Sequence, residues 1–79
     1  MPKEWRTRVQ LETLMMLEVR KQAKCDEVAS VVIIGPVERP NSNWDKAVRP
    51  KSAGTVSLEC EQALEEIKRG LQARFNLRD

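Results

Sequence analysis

The sequence has no histidine and no tyrosine, and it has only three glycines. Histidine is the commonest general base and the commonest metal ligand among side chains, so its absence argues against zinc-dependent hydrolysis and against Ser-His or Cys-His catalysis. The glycines at Gly35, Gly54 and Gly70 are too dispersed to form a phosphate-binding loop. We therefore predict a protein that is not an enzyme and that uses no metal or organic cofactor.

Cysteine is also scarce. Cys25 and Cys60 are far apart in the sequence, in no CxxC or metal-ligand spacing, and two cysteines cannot complete a structural zinc site. The compartment argument favours two free thiols in a reducing cytosol over a disulfide. Cys60 falls on an apolar helix stripe, which favours its burial as a small hydrophobic residue over a reactive role.

Long apolar segments are missing from the sequence. The N-terminal stretch MPKEWRTRVQ has no apolar core of the length that a secretory signal needs, and no stretch approaches the ~18 apolar residues of a membrane-spanning helix. We expect a cytoplasmic protein that does not associate with membranes.

Charge of one sign is not concentrated in this chain. The 14 basic and 12 acidic side chains are mixed along 79 residues and give a net charge of +2, so no extended basic field is available to hold nucleic acid. Hydrophobic residues make up 41% and charged residues 33%, which is too apolar for a disordered chain. The sequence predicts a single folded domain over residues 1–79.

The first segment, residues 3–24, is rich in Leu, Met, Glu, Gln, Arg and Lys and predicts a helix. Its apolar residues fall on two stripes: Trp5, Val9, Met16, Val19 and Ala23 on one, and Leu11, Leu14 and Met15 on the other, with Leu17 on neither. A helix that is apolar around most of its circumference must be covered from more than one direction.

The middle of the chain predicts two strands. Residues 28–37 are rich in β-branched side chains, and the pattern places Val28, Val32 and Ile34 on one face and Ala29, Val31, Ile33 and Val37 on the other. A strand that is apolar on both faces is typical of burial on both sides. Pro36 cannot donate to a ladder and indicates an edge strand or a strand end. After a turn over 38–42, residues 43–49 alternate as a second strand.

A second helix is predicted over residues 57–76. Ser57 is a suitable N-cap, and Glu59 and Glu61 lie in the first turn, where the helix dipole favours anions. The apolar residues form one narrow stripe: Cys60, Ala63, Leu64, Ile67, Leu71 and Phe75. Gly70 interrupts this helix, and we expect the close approach of another backbone to compensate for it.

The order helix, strand, strand, helix predicts an α+β fold in which a β-hairpin packs under two helices as a two-layer α-β-β-α arrangement. A lone hairpin is marginal in water, and both the first helix and the first strand have surplus apolar surface. We therefore expect a homodimer with a four-stranded sheet across its two-fold axis. The candidate self-interface consists of Leu11, Leu14, Met15, Val31 and Ile33. The predicted function is protein–protein association, as an adaptor or regulatory subunit whose protein partner the sequence does not identify.

Weak nucleic-acid binding is the alternative function. Its candidate surface is a basic patch at the hairpin: Arg39, Lys46, Arg49 and Lys51. Double-stranded RNA modules place basic residues at the start of their last helix, whereas this chain has Glu59 and Glu61 there, and few aromatic residues are present to stack on bases. Protein association remains the preferred interpretation.

The stretch NSNWDKAVRP contains Trp44 between two polar residues. Trp44 alternates in phase with Val48, which predicts that it faces inward as a core residue whose indole N–H needs one hydrogen-bond partner. Asn43 and Asp45 would then face outward and bond the turn backbone near residues 40 and 41.

Several segments together resemble small bacterial hypothetical proteins of helix-strand-strand-helix order. These are the Leu- and Met-rich helix ending near a cysteine, the Val/Ile strand, the SNWD motif at residues 42–45, and the last helix ending in LQARFNL. The similarity extends over nearly the whole chain and implies the same fold, but no activity. The continuation NWDKAVRP differs from the more usual apolar one.

Overall fold

The computed structural model describes residues 3–38, 42–51 and 56–78. The elements in chain order are β1 (Glu4–Arg6), α1 (Arg8–Val19), a 3-10 turn (Ala23–Cys25), β2 (Val28–Ile34), β3 (Asp45–Pro50), α2 (Leu58–Arg74) and β4 (Phe75–Leu77). In the described residues β2 pairs with β3 antiparallel, and β1 pairs with β4 parallel. The predicted α+β class is confirmed, with two short strands that the sequence analysis did not predict.

Helix α1 begins at Arg8, later than predicted, because Thr7 caps it. The Thr7 Oγ1 accepts a hydrogen bond from the Gln10 backbone N–H at 3.2 Å, and the Gln10 Oε1 accepts one from the Thr7 N–H at 2.9 Å. This reciprocal capping box satisfies N–H groups that have no partner within the helix. Trp5, predicted to lie on the helix, lies instead in β1 and is 56% exposed.

The buried face of α1 draws from both predicted stripes. Leu11, Met15 and Val19 are buried, and their spacing of four residues places them on one side of the helix. Val9 and Leu17 are exposed. One side of α1 therefore packs into the core, and apolar side chains remain on its outer side.

Strand β2 contains an irregularity that changes which side chains are buried. The register with β3 shifts between Val28 and Ser30, and the bulge turns Val28 to the same side as the buried Val31 and Ile33. The prediction that Val28 shares a face with Val32 and Ile34 is wrong for this reason. The strand ends at Ile34, before the cis peptide bond between Gly35 and Pro36, as Pro36 predicted. The centre of the predicted turn lies outside the described residues.

Helix α2 begins as predicted and ends early. The Ser57 Oγ accepts a hydrogen bond from the Cys60 backbone N–H at 3.1 Å, which confirms Ser57 as the N-cap. The backbone becomes extended at Phe75, where φ is −133°. Phe75 is therefore buried as the first residue of β4 and not as part of the helix. Its burial was predicted, but its backbone conformation was not.

Gly70 lies within α2 without the compensating contact that was predicted. A Cβ added at this position would meet nothing within 4 Å, among the neighbours that the structure describes. The residue is exposed. The predicted close approach of another backbone is therefore not found among the described residues of the chain.

Replacement Gly70→Ala should raise the free energy of unfolding by about 1 kcal/mol, because alanine restricts the unfolded chain and fits the open position. Urea unfolding measures the difference. Ala73→Gly, at an exposed position of the same helix, provides the reverse control and should lower stability by about the same amount. A destabilised Gly70→Ala variant would mean that the position is not open.

Cys25 and Cys60 form a disulfide, with their Cα atoms 5.1 Å apart. This corrects the prediction of free thiols. Both residues are buried, because the 3-10 turn after α1 lies against the first turn of α2. A sequence separation of 35 residues gives no indication of that proximity.

Candidate association surface

Trp44 is a core residue, as predicted. It is completely buried, and its indole Nε1 donates a hydrogen bond to the Phe75 carbonyl oxygen at 3.0 Å. The Gln72 Nε2 donates to the Trp44 carbonyl oxygen at 2.7 Å. The indole therefore joins the segment before β3 to the last strand, and it is not available as a platform for a ligand.

Asn43 binds the same strand with its side chain. Its Nδ2 donates to the Leu77 carbonyl oxygen at 2.9 Å, and its Oδ1 accepts from the Leu77 N–H at 2.8 Å. The amide thus imitates the backbone of a neighbouring strand, and the prediction that Asn43 bonds the turn is wrong. Gly35 packs against this segment with φ +149°, and a Cβ there would lie 2.8 Å from the Asn43 carbonyl oxygen. The position therefore requires glycine.

The five residues of the predicted self-interface lie in or against the core of the single chain. Four of them are buried, and the fifth is partly buried against the core; in chain order they are Leu11, Leu14, Met15, Val31 and Ile33. Side chains buried in this way do not form an outer surface for a second copy. The exposed apolar surface lies elsewhere, and the register of the sheet shows where.

The β2–β3 sheet has one covered face and one open face. Directly paired residues share a face, so the pairs Val31–Val48 and Ile33–Lys46 lie on the core side. The alternate pairs lie on the outer side: Ser30–Arg49, Val32–Ala47 and Ile34–Asp45. Ile34 is 44% exposed, and Ala47 is also exposed. We call these six outer residues the association surface.

A shallow groove extends the association surface toward α1. It has a volume of about 350 Å³ and runs between Ser30 and Val31 of β2 and the outer side of the helix, where Thr13, Met16 and Leu17 line it. Leu17 is 57% exposed. The exposed side chain of Leu17 therefore lies near Ser30, at one end of the association surface.

Side-chain contacts and a proline remove some of the edge groups with which another strand could pair. At β2, the Ile33 N–H donates to the Glu12 Oε2 at 3.0 Å, and the Arg8 guanidinium donates to the Ile33 carbonyl oxygen. At β3, the Lys46 N–H donates to the Asp45 Oδ1 at 2.7 Å, and Pro50 has no N–H. These contacts occupy part of each edge, as charged side chains and prolines commonly do.

The predicted basic patch is only partly exposed. Lys46 lies on the core side of β3, its side chain is 13% exposed, and its Nζ lies 3.5 Å from the Glu65 Oε1. Arg49 and Lys51 are exposed, and Arg39 lies outside the described residues. Because Lys46 is paired and turned toward α2, the structure does not bring it together with Arg49.

Glu65 is at the centre of an ionic network that joins α2 to β3. The hydrogen bond from Lys68, with Nζ 2.8 Å from the Glu65 Oε2, lowers the pKa of the Glu65 carboxyl. Burial raises this pKa by less than the hydrogen bond lowers it, and the positive charges of Lys46 and Lys68 lower it further. Lys68 also lies 3.5 Å from Asp45. The network holds the start of β3 against the helix.

Replacement Glu65→Gln should lower the free energy of unfolding by about 0.5 kcal/mol at pH 7, because the carboxylate is partly exposed and such pairs are weak. The folded-state pKa is lowered, so the contribution is complete above the unfolded-state pKa and is lost as the pH falls through the folded-state value. Urea unfolding at pH 7 and at about pH 3 should show the difference only at pH 7. Glu66→Gln, at an exposed neighbour, is the control, and a difference that persists at low pH would contradict the assignment.

No match to this chain was found among models of known protein families, curated proteins or solved structures. Within the described ranges, no group of three or more His, Cys, Asp or Glu side chains could hold a metal ion. None of the described helices is both long and apolar enough to cross a membrane.

Proposed function

We propose that this protein acts by protein–protein association and not by catalysis, and that its first partner is a second copy of itself. The observation that carries the proposal is the open apolar face of the β2–β3 sheet, where Ile34 is 44% exposed and Ala47 is exposed beside it. A two-stranded sheet is marginal when one apolar face remains in water. A second copy would cover that face.

The pattern along the outer side of β3 allows a second copy as the occupant. Arg49 lies at one end of it and Asp45 at the other, with Ala47 between them, and the Asp45 carboxylate lies 3.5 Å from Lys68 of its own chain. If two copies stack face to face about a two-fold axis at Ala47, each Arg49 lies beside the partner's Asp45 and shares that carboxylate with Lys68. The stack would be apolar at its centre and would use the same patch on both copies, as a closed two-fold interface does.

This arrangement places four strands in two layers and not in one continuous sheet. The four-stranded sheet expected from the sequence needs free donors along an edge, but Glu12 and Arg8 occupy the β2 edge at Ile33. Stacking needs no edge donors. It also leaves the groove beside Leu17 at the rim of the interface, where the partner can cover part of it.

The size of the surface predicts a weak dimer. Strands of this length span about 20 Å, and with the flank of α1 the face is about 20 Å wide. Each copy would contribute about 400 Å² in projection, well below the roughly 800 Å² of a standard interface. We expect dissociation constants of tens to hundreds of micromolar, corresponding to about 5–6 kcal/mol.

Sedimentation equilibrium from about 10 µM to 1 mM tests the proposal over this range. The wild type should show a monomer–dimer equilibrium, and Ile34→Lys should abolish it by placing a charge in the apolar centre. Val9→Lys is the matched control, because Val9 is 69% exposed on α1 but lies outside the association surface. It should leave the equilibrium unchanged.

Two results would contradict the proposal. A wild type that stays monomeric up to about 1 mM, beyond the expected range of dissociation constants, would remove the second copy as a partner. An Ile34→Lys variant that dimerises like the wild type while Val9→Lys does not would place the interface on the outer side of α1. Circular dichroism of both variants confirms that each is folded.

A further inference from the structure

We propose that Cys25 is a site of thiol exchange, at which a small anionic thiol opens the Cys25–Cys60 disulfide and remains attached to Cys25. This inference concerns a different surface from the association surface and does not depend on dimerisation. Three observations carry it: the access to one of the two sulfurs, the charges around that access, and the position of the other sulfur in α2.

Access to the disulfide is unequal. Cys25 lines a cavity of about 260 Å³ whose other walls include Val19 at the end of α1 and Val28 at the start of β2. Cys60 does not line the cavity and is completely buried. An attacking thiolate must approach a disulfide sulfur directly, and the cavity offers that approach at Cys25, which is 4% exposed, and not at Cys60.

The charges around the cavity favour an anion. Arg20 and Lys51 line it, and both residues are exposed. Neither side chain forms an ion pair with another residue that the structure describes. Asp26 also lines the cavity and opposes one of the two positive charges. The remaining positive charge raises the local concentration of an anionic thiol relative to a cationic one.

The leaving sulfur lies in the first turn of α2, where the helix dipole favours negative charge. Cys60 is the third residue of α2, and its backbone N–H bonds the Ser57 cap, so its sulfur lies at the positive end of the helix dipole. Glu59 and Glu61 in the same turn are exposed, and Lys24 pairs with Glu59 at 3.6 Å. Burial of Cys60 disfavours a negative charge on its sulfur. The sulfur therefore takes up a proton once the disulfide bond has broken.

The exchange needs no reactant other than the thiol. The thiolate sulfur bonds to the Cys25 Sγ, the Cys25–Cys60 bond breaks, and its electron pair goes to the Cys60 Sγ, which takes a proton from water. A second thiol can then displace Cys25 and leave as the oxidised disulfide of the reagent. The mixed disulfide on Cys25 is the species that distinguishes this route from attack at Cys60.

The experiment compares three thiols on the folded, oxidised protein: anionic 2-mercaptoethanesulfonate, neutral 2-mercaptoethanol and cationic cysteamine, at equal thiolate concentrations. Acid stops the reaction, iodoacetamide in denaturant then labels the released thiol, and peptide mass mapping locates the adducts. We expect the thiol on Cys25 and the carbamidomethyl group on Cys60. The anion should react about tenfold faster than the cation at low salt, and high salt should abolish that preference.

Variants that remove a charge identify the groups responsible for the preference for an anionic thiol. Arg20→Gln and Lys51→Gln should each reduce the anion preference about twofold to threefold. Lys24→Gln, which removes an equal charge from a neighbouring residue that does not line the cavity, should leave the preference unchanged. An adduct on Cys60, equal rates for the three thiols at low salt, or a rate independent of thiol concentration would each overturn the proposal. The last result would show that the disulfide opens only after the protein unfolds.

Discussion

The double variant Cys25→Ser/Cys60→Ser should lose about 3–4 kcal/mol of its free energy of unfolding, because the disulfide closes a loop across a separation of 35 residues and restricts the unfolded chain. A domain of this size has a small free energy of unfolding. The loss is therefore a large part of the total, and we expect a substantial unfolded population at 37 °C.

Urea unfolding of the oxidised wild type and the double variant measures the difference. The wild type unfolded in excess dithiothreitol is the matched control, since it lacks the same cross-link but keeps both sulfurs, and its stability should agree with that of the variant within about 1 kcal/mol. The slope of the transition should increase without the cross-link, because the unfolded chain exposes more surface. A loss below about 1 kcal/mol would mean that the disulfide does not constrain the unfolded chain as expected.

Replacement Trp44→Ala should cost about 3–5 kcal/mol, because it leaves a cavity at a completely buried position. It also removes the indole N–H that bonds the Phe75 carbonyl oxygen at 3.0 Å. Trp44→Phe retains most of the apolar volume but leaves that carbonyl without its donor. We expect an intermediate loss of about 1–3 kcal/mol for the phenylalanine variant.

The second tryptophan of the chain provides the control for this series. Trp5 is 56% exposed, so Trp5→Ala should change stability by about 0.5 kcal/mol or less. Urea unfolding followed by circular dichroism compares all the variants without relying on tryptophan fluorescence. Equal losses for Trp5→Ala and Trp44→Ala would contradict the assignment of Trp44 as the residue that joins β4 to the core.

Several elements were predictable because local signals and burial agree. Ser57 caps α2 as the sequence indicated, and the β-branched run forms β2, which ends at Ile34, two residues before Pro36. The core position of Trp44 followed from its alternation with Val48. In each case one local rule was sufficient, and no distant residue altered the result.

The short strands could not be predicted from periodicity. Phe75 follows Leu71 by four residues, a spacing that fits a helix stripe, and a strand of three residues is too short to show alternation. The start of α1 did have a readable signal, since Thr7 and Gln10 have the spacing of a capping box. A helix that starts after a cap at Thr7 does not include Trp5.

The location of the association surface depends on the register between β2 and β3, which cannot be read from the sequence. The surplus of apolar residues was predicted, but Val31 and Ile33 were assigned to the self-interface, whereas they lie on the core side of the sheet. The register of β2 with β3 and the bulge after Val28 determine which side chains lie on the covered face, and the contacts of Arg8 and Glu12 occupy the β2 edge at Ile33. These arise from tertiary packing, so composition indicates an uncovered face without identifying it.

The contacts of β4 mean that this strand should not fray independently of the rest of the protein. Its backbone bonds β1 on one side and the Asn43 side chain and the Trp44 indole on the other. Detaching it would expose Phe75 and Leu77 and leave the buried indole without a partner. The amide protons of β4 should therefore exchange with solvent at the rate of global unfolding, as one cooperative unit with the core.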